Sequence, residues 1–238
     1  MSRQSRIYRY DFRGEQALAA AGSGAGGPFV KADTSAAGSP TVGGLLGGGL
    51  RMALAATNEV ENLCVYMGDV LPFDIDEIVS VEIIAKTVAS LSSATQLAFG
   101  LASARNDAID SIAAHASFRC IGSNAVFVET DDGTNDNDDV ATGLTLGATW
   151  KRFRMDFASR NTTIEAPSVS KGRKSNIEFY GANDNGSLRR VASGTRFDMS
   201  NYSGGLQLYA QLQKTADTNV NSLDILEMSI EVSLPAYA

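Results

Sequence analysis

The residues able to do chemistry in this sequence are few and far apart. His115 is the single histidine, with Asp110, Ser111 and Ser117 near it along the chain. That grouping offers a general base, a carboxylate and two hydroxyls. Catalytic triads are assembled from distant segments, however, and Gly100-Leu101-Ala102-Ser103 lacks the frame of a nucleophile elbow. His115 therefore reads as a structural or solvated residue. One imidazole also excludes metal sites built on two or three histidines. Cys64 and Cys120 are too few for a tetrathiolate or a disulfide scaffold and read as two buried thiols, with a single pairing left open.

The densest charge lies in Asp131-Asp132-Gly133-Thr134-Asn135-Asp136-Asn137-Asp138-Asp139. Its oxygens suit a hard cation, so calcium on Asp131, Asp132, Asp136 and Asp138 is the one metal the sequence admits; no other cofactor is expected. The run departs from the EF-hand pattern and equally describes a solvated hairpin loop. Glu82, Asp156, Glu178, Asp224, Glu227 and Glu231 all fall in strand-like runs, where a pair could serve glycoside hydrolysis. A wet sheet face explains their alternation without catalysis. Gly43-Gly44 and Gly47-Gly48-Gly49 lack the Lys-Ser/Thr that a nucleotide phosphate needs. Trp150, Tyr180, Tyr202 and Tyr209 could stack on sugars or could be core edges.

The elements that must position these residues read as one β-domain. The chain has 238 residues, a net charge of −7, 44% hydrophobic and 20% charged residues, which is the composition of a globular protein with a sizeable core. The acidic total argues against nucleic acid as a partner. No segment approaches the roughly 20 apolar residues of a membrane span, and the N-terminus lacks a secretory apolar stretch, so a start in the cytoplasm is expected.

From Leu50 onward apolar residues alternate with polar ones. Phe153, Met155 and Phe157 oppose Arg152, Arg154 and Asp156. Leu206, Leu208, Ala210 and Leu212 oppose Gln207, Tyr209, Gln211 and Gln213. Strict alternation buries one face and wets the other, which predicts antiparallel sheets in a β-sandwich or barrel over residues 50–238. Asp132-Gly133 and Asn185-Gly186 supply hairpin turns. Ala104 to Ala114 reads as a short surface helix or a loop. Residues 1–49 differ: Arg6, Tyr8, Arg9, Tyr10 and Phe12 form a basic, aromatic stretch ahead of a Gly/Ala-rich one with Pro28 and Pro40. That composition predicts an extended N-terminal arm, either a free tail or a tether ordered against a neighbouring subunit. The neutral outward row Gln207, Tyr209 and Gln211 suits a protein interface, because amides and phenols cost less to desolvate than charges.

The run from Trp150 through Ile177-Glu-Phe-Tyr and Leu206-Gln-Leu-Tyr to Leu223-Asp-Ile-Leu-Glu-Met resembles concanavalin-type jelly rolls. Together with Phe29-Val-Lys-Ala-Asp-Thr and the Asp-Asp-Gly loop it is similar to structural proteins of tailed bacteriophages. The metal ligands of legume-type lectins have no matched positions. The resemblance implies an all-β, antiparallel jelly-roll sandwich in a non-enzymatic virion protein, made in the host cytoplasm. It would decorate or cement a capsid through the major capsid protein or other virion subunits, as a homo-oligomer with a trimer favoured. The alternative is a lectin-like module that binds glycans on a phage head or tail appendage.

Overall fold

Alternation at period two carries through the chain, and each apolar row turns toward a second sheet. The structure is a computed structural model that describes residues 5–13, 18–20, 27–157, 174–182 and 186–233. Its strands begin with β1 (Ser5–Asp11), β2 (Ala19–Ala20), β3 (Val30–Asp33), β4 (Thr41–Gly44), β5 (Leu50–Ala53) and β6 (Glu61–Tyr66). They continue with β7 (Phe73–Asp74), β8 (Ile78–Lys86), β9 (Thr95–Ala102), β10 (His115–Ile121), β11 (Ala125–Asp131) and β12 (Asp136–Thr145). The last are β13 (Lys151–Asp156), β14 (Glu178–Ala182), β15 (Leu188–Val191), β16 (Gly205–Lys214) and β17 (Ser222–Ser233).

Two sheets result. One has the order β15-β14-β13-β8-β17-β5-β4, with β1 also on β17; the other runs β12-β11-β10-β9-β16-β6-β3-β2, with β7 on β16. The pairs are antiparallel apart from β2 with β3. This is the antiparallel β-sandwich that the alternation predicts. An aromatic chain joins the sheets: Phe99 and Phe118 meet Phe153 at 5.1 and 4.9 Å, and Phe118 meets Phe179 at 5.3 Å. Such edge and tilted contacts add about 0.5–1.5 kcal/mol each to the area they bury.

The structure differs from the expected arm. β1 pairs with β17 of its own chain, from Ser5 opposite Ser233 to Asp11 opposite Glu227. β3 pairs with β6, and β4 with β5, so the described parts of residues 1–49 contribute strands to the sandwich. The physical reason is the aromatic spacing. Tyr8 and Tyr10 lean into the core side, where their rings meet Phe73 and Phe29 edge-on at 5.6 and 5.2 Å, and Phe12 is buried against Phe29. Arg9 points the other way and binds Glu227 at 2.6 Å, while Arg6 lies over the Tyr8 ring.

Smaller differences follow local rules. Ala104 to Ala114 contains one 3-10 turn, Ile109–Ser111, and no α-helix. Gly133 takes the left-handed φ of 82° that its hairpin needs. Gly186, also left-handed, precedes β15, while its neighbour Asn185 lies outside the described residues. Cys64 and Cys120 are both buried and free, facing opposite sides of their sheet.

Because Phe12 belongs to the core, Phe12→Ala should cost about 3–5 kcal/mol. Chemical denaturation should show this as an earlier midpoint for the whole domain. A tail residue would leave the midpoint unchanged.

Candidate functional site

The sheet containing β16 has two rows of side chains, and both are buried. Leu206, Leu208, Ala210 and Leu212 face the sandwich core; Gln207, Tyr209 and Gln211 face away from it and are buried as well. Cys64 on β6 and Ala98 and Ala102 on β9 share that outer face. The expected interface row is thus covered by its own chain. The cover is the loop of residues 103–114, a strap whose ends are tied by Ser103 N–H donating to the Ala114 carbonyl at 2.8 Å.

Two apolar residues seat the strap. Ile109 and Ile112 stand one 3-10 turn apart on the same side and pack onto Cys64, Tyr66, Ala98, Ala102 and Tyr209. Polar floor residues then grip its backbone. Gln211 Nε2 donates to the carbonyls of Asn106 and Asp107 at 2.9 and 3.2 Å, and Asn62 Nδ2 donates to the Asp107 carbonyl at 3.0 Å. At the rim, the Asp69 carboxylate accepts from Arg105 N–H at 2.9 Å and from Gln207 Nε2. Asp69 and Leu71 have positive φ of 59° and 52°, so this rim loop holds non-glycine residues in a costly conformation.

Across β10 and β11 the floor is ionic. His115 and Glu129 are each 1% exposed and Arg119 is 3% exposed. Glu129 bridges the other two, with Oε1 3.0 Å from His115 Nε2 and Oε2 accepting from Arg119 at 2.9 Å. Arg119 also donates to Gln96 at 3.0 Å and pairs with Asp110 of the strap. His115 Nδ1 lies 3.1 Å from the Ile112 carbonyl. Both ring nitrogens therefore face acceptors, and only the imidazolium can donate to both. Burial opposes that charge, yet the Glu129 hydrogen bond and charge and the Ile112 carbonyl outweigh it and raise the His115 pKa. Burial likewise opposes the Glu129 carboxylate, and His115 and Arg119 more than offset it, lowering its pKa.

Of the six buried side-chain atoms that lack a hydrogen-bond partner of ordinary geometry among the described residues, four belong to this face: Ser117 Oγ, Arg119 Nε, Tyr209 Oη and Gln211 Oε1; the others are Arg105 Nε on the strap and Asp76 Oδ1 elsewhere. The Tyr209 hydroxyl faces Ser117, and burial pushes both it and the Cys64 thiol upward in pKa. A floor of amide, hydroxyl and guanidinium groups with spare hydrogen-bonding capacity can recognise a polar, uncharged ligand; it holds no assembled nucleophile and base.

The other sequence candidates lie elsewhere. Asp132 is consumed by its own hairpin: it accepts from Thr134 and Asn135 N–H at 3.0 and 2.7 Å and from Asn201 N–H at 2.9 Å. Asp131 accepts from Gly133, and burial together with the facing Asp138 carboxylate raises the Asp136 pKa. Among the described residues no group of three or more acidic, histidine or cysteine side chains is arranged to hold a metal, so the expected calcium ligands are not assembled. The six strand carboxylates lie on the outer face of the other sheet, and five have cationic partners. Arg152 meets Glu82, Arg154 meets Asp156, Arg190 meets Glu178, Arg51 meets Asp224 and Arg9 meets Glu227. Glu231 accepts instead from Ser80. The four aromatics are dispersed: Tyr209 under the strap, Tyr180 bonded to Glu178, Tyr202 to Gly205, and Trp150 beneath Lys86 at 4.4 Å.

Glu129 and Arg119 are the site residues the sequence reading missed. Their signal was the row His115, Ser117 and Arg119 alternating with Ala116, Phe118 and Cys120.

Replacing Glu129 with Gln leaves two buried cations short of their counterion and should cost about 3–5 kcal/mol. The pH dependence has a definite sign. Protonated His115 stabilises the fold fully below its unfolded value of about 6.5, and the contribution is lost as pH rises through the higher folded value. Ionised Glu129 contributes above its unfolded value of about 4.3, and this is lost as pH falls through the lower folded one. Melting temperature should thus decline on the alkaline side in the wild type, and His115→Gln should flatten that limb.

Comparison with known proteins bears on the fold. No protein-family model matches the chain, and no curated protein matches its sequence. Solved structures do match. A protein of unknown function from Shewanella oneidensis MR-1 superposes with a TM-score of 0.58 at 12% identity, over 100% of this chain and 90% of that one. Peanut lectin gives 0.56 at 11% identity, over 98% and 100%. The Emp47p carbohydrate recognition domain gives 0.55 at 12% identity, over 91% and 95%. At such identities the likeness concerns architecture alone: this chain is a β-sandwich of the kind seen in lectin domains.

Proposed function

We propose that this chain is a non-enzymatic binding module whose ligand is a carbohydrate, taken up on the strapped face. The observation that carries this reading is the set of buried polar atoms with spare hydrogen-bonding capacity on this face: Arg119 Nε, Gln211 Oε1, and the Ser117 and Tyr209 hydroxyls that face each other. Sugars present closely spaced hydroxyls that donate and accept, which matches a floor of amide, phenol, hydroxyl and guanidinium groups. Lectin-type neighbours support the same class. One is the VIP36 exoplasmic/lumenal domain in a calcium- and Man3GlcNAc-bound form, with a TM-score of 0.51 at 8% identity. The fold also hosts catalysis, as in the Crh5 transglycosylase at a TM-score of 0.53, so fold does not decide the matter. The pairing of five strand carboxylates with cations argues for binding over hydrolysis.

The coat-protein reading drew on an arm ordered against a neighbouring subunit; β1 instead pairs in register with β17 of its own chain, so that support is gone.

Glycan-array screening in calcium and again in chelator tests the proposal. At least one glycan class should bind, and Tyr209→Phe should weaken it about tenfold, equivalent to ~1.4 kcal/mol. The phenol meets the Ser117 hydroxyl only at poor geometry and phenylalanine keeps the ring packing, so the variant should still fold. An empty array under both conditions would overturn the reading.

A further inference from the structure

The strap is fixed to its floor by bonds that a ligand's own oxygens could replace. Backbone carbonyls of Asn106 and Asp107 occupy Gln211 and Asn62, the Asp110 carboxylate occupies Arg119, and the Ile112 carbonyl faces His115. Between Ser103 and Ala113 only Ile109 and Ile112 are buried, and the other residues are exposed or half-exposed. The strap is therefore a small foldon, tied at both ends and held by two buried isoleucines and a set of polar bonds.

We propose that residues 103–114 act as a built-in occupant of the polar face, latched by His115, and that loss of the His115 proton frees the strap and uncovers the face. This rests on the strapped face being a ligand site. The latch follows from proton count. With the strap closed, His115 meets an acceptor on each nitrogen, Ile112 O from the strap and Glu129 from β11. A neutral ring can donate to one of them only, and the other contact then sets a lone pair against an acceptor. Glu129 retains Arg119 in either case, so the Ile112 carbonyl is the contact given up. Other charges near the ring are Asp131 on β11 and, beyond Glu129, Arg119 on β10, which itself reaches Asp110 of the strap. The β9 neighbour opposite His115 is Ala102, which carries no charge. Opening thus releases one proton, and the open fraction should rise by up to tenfold per pH unit between the ring's open-state and closed-state values.

The chain has one histidine, so its imidazole resonance identifies itself. Hydrogen exchange of the Ser111 and Ile112 amides, which bond to Ala108 and Ile109, reports the strap. After correction for intrinsic exchange, their protection should fall with pH, with a midpoint matching the imidazole titration, while the Phe118 amide stays protected. His115→Gln should abolish the dependence. Protection that is flat with pH, a midpoint displaced from the imidazole titration, or an unchanged dependence in His115→Gln would each overturn the latch; the first two need no variant. Glycan titration at the same pH values separates the two readings. A strap that follows His115 with no glycan bound at any pH leaves the latch standing and removes the carbohydrate; glycan binding with a pH-independent strap does the reverse.

Discussion

Strand β17 is the member on which the rest of the sandwich depends. One edge is taken by β8 along its length, and the other is divided: Ser222 to Ile225 pair with β5, and Glu227 to Ser233 pair with β1. The division falls at Leu226, where the β8 register shifts and Phe12 N–H donates to the Leu226 carbonyl at 3.0 Å. Gly49 closes the seam by donating to the Phe12 carbonyl at 2.9 Å. It does so at a φ of 109°, and a Cβ there would sit 3.0 Å from the Ile225 carbonyl. Glycine is needed for both reasons. The Leu226 carbonyl, left between the two pairings, is thereby matched to a partner, as a buried sheet requires.

The second sheet solves a different problem. Its central strands β6, β9, β10 and β16 are buried on both faces, yet one of those faces is polar. A sheet in this position ordinarily carries aliphatic residues on both sides. Here glutamine, asparagine, histidine, arginine and glutamate stand there, and their desolvation is offset by a cover made largely of backbone carbonyls. Networks of this kind cost dearly when one member is missing, because every charge in them has been removed from water. The opposite face of the other sheet shows the cheaper arrangement, with ion pairs such as Arg152 and Glu82 left half in solvent.

Much of the sandwich was legible in the sequence because its signal is local. Phe153, Met155 and Phe157 against Arg152, Arg154 and Asp156 state a strand with one wet side, and the structure gives it one. The same pattern misleads at β16, where polar residues on the outer row imply solvent but meet the strap. Nothing near Gln211 in the chain announces Asn106, 105 residues away, as its partner. The first strand fails for a related reason. Glycines and prolines downstream of Phe12 read as an arm, whereas what secures β1 is a set of rings on Phe73 and Phe29 and the edge of β17. Composition describes the connection; it does not reveal what lies at its far end.

The pairing of β1 with β17 also has a consequence for the order of events in folding. Arg9 and Glu227 are separated by 218 residues, and neither sheet edge at Leu226 can be completed until both have been made. A chain emerging from a ribosome would carry β1 unpaired, with Ile7 and its neighbouring aromatics exposed, until the 218 residues from Arg9 to Glu227 had been made. At about 5–20 residues per second that is on the order of ten seconds or more. Closure over so long a loop is slow relative to local hairpins such as β10–β11. Arg6 and Arg9 then have a second use, since charge on a waiting strand discourages it from pairing with the wrong partner.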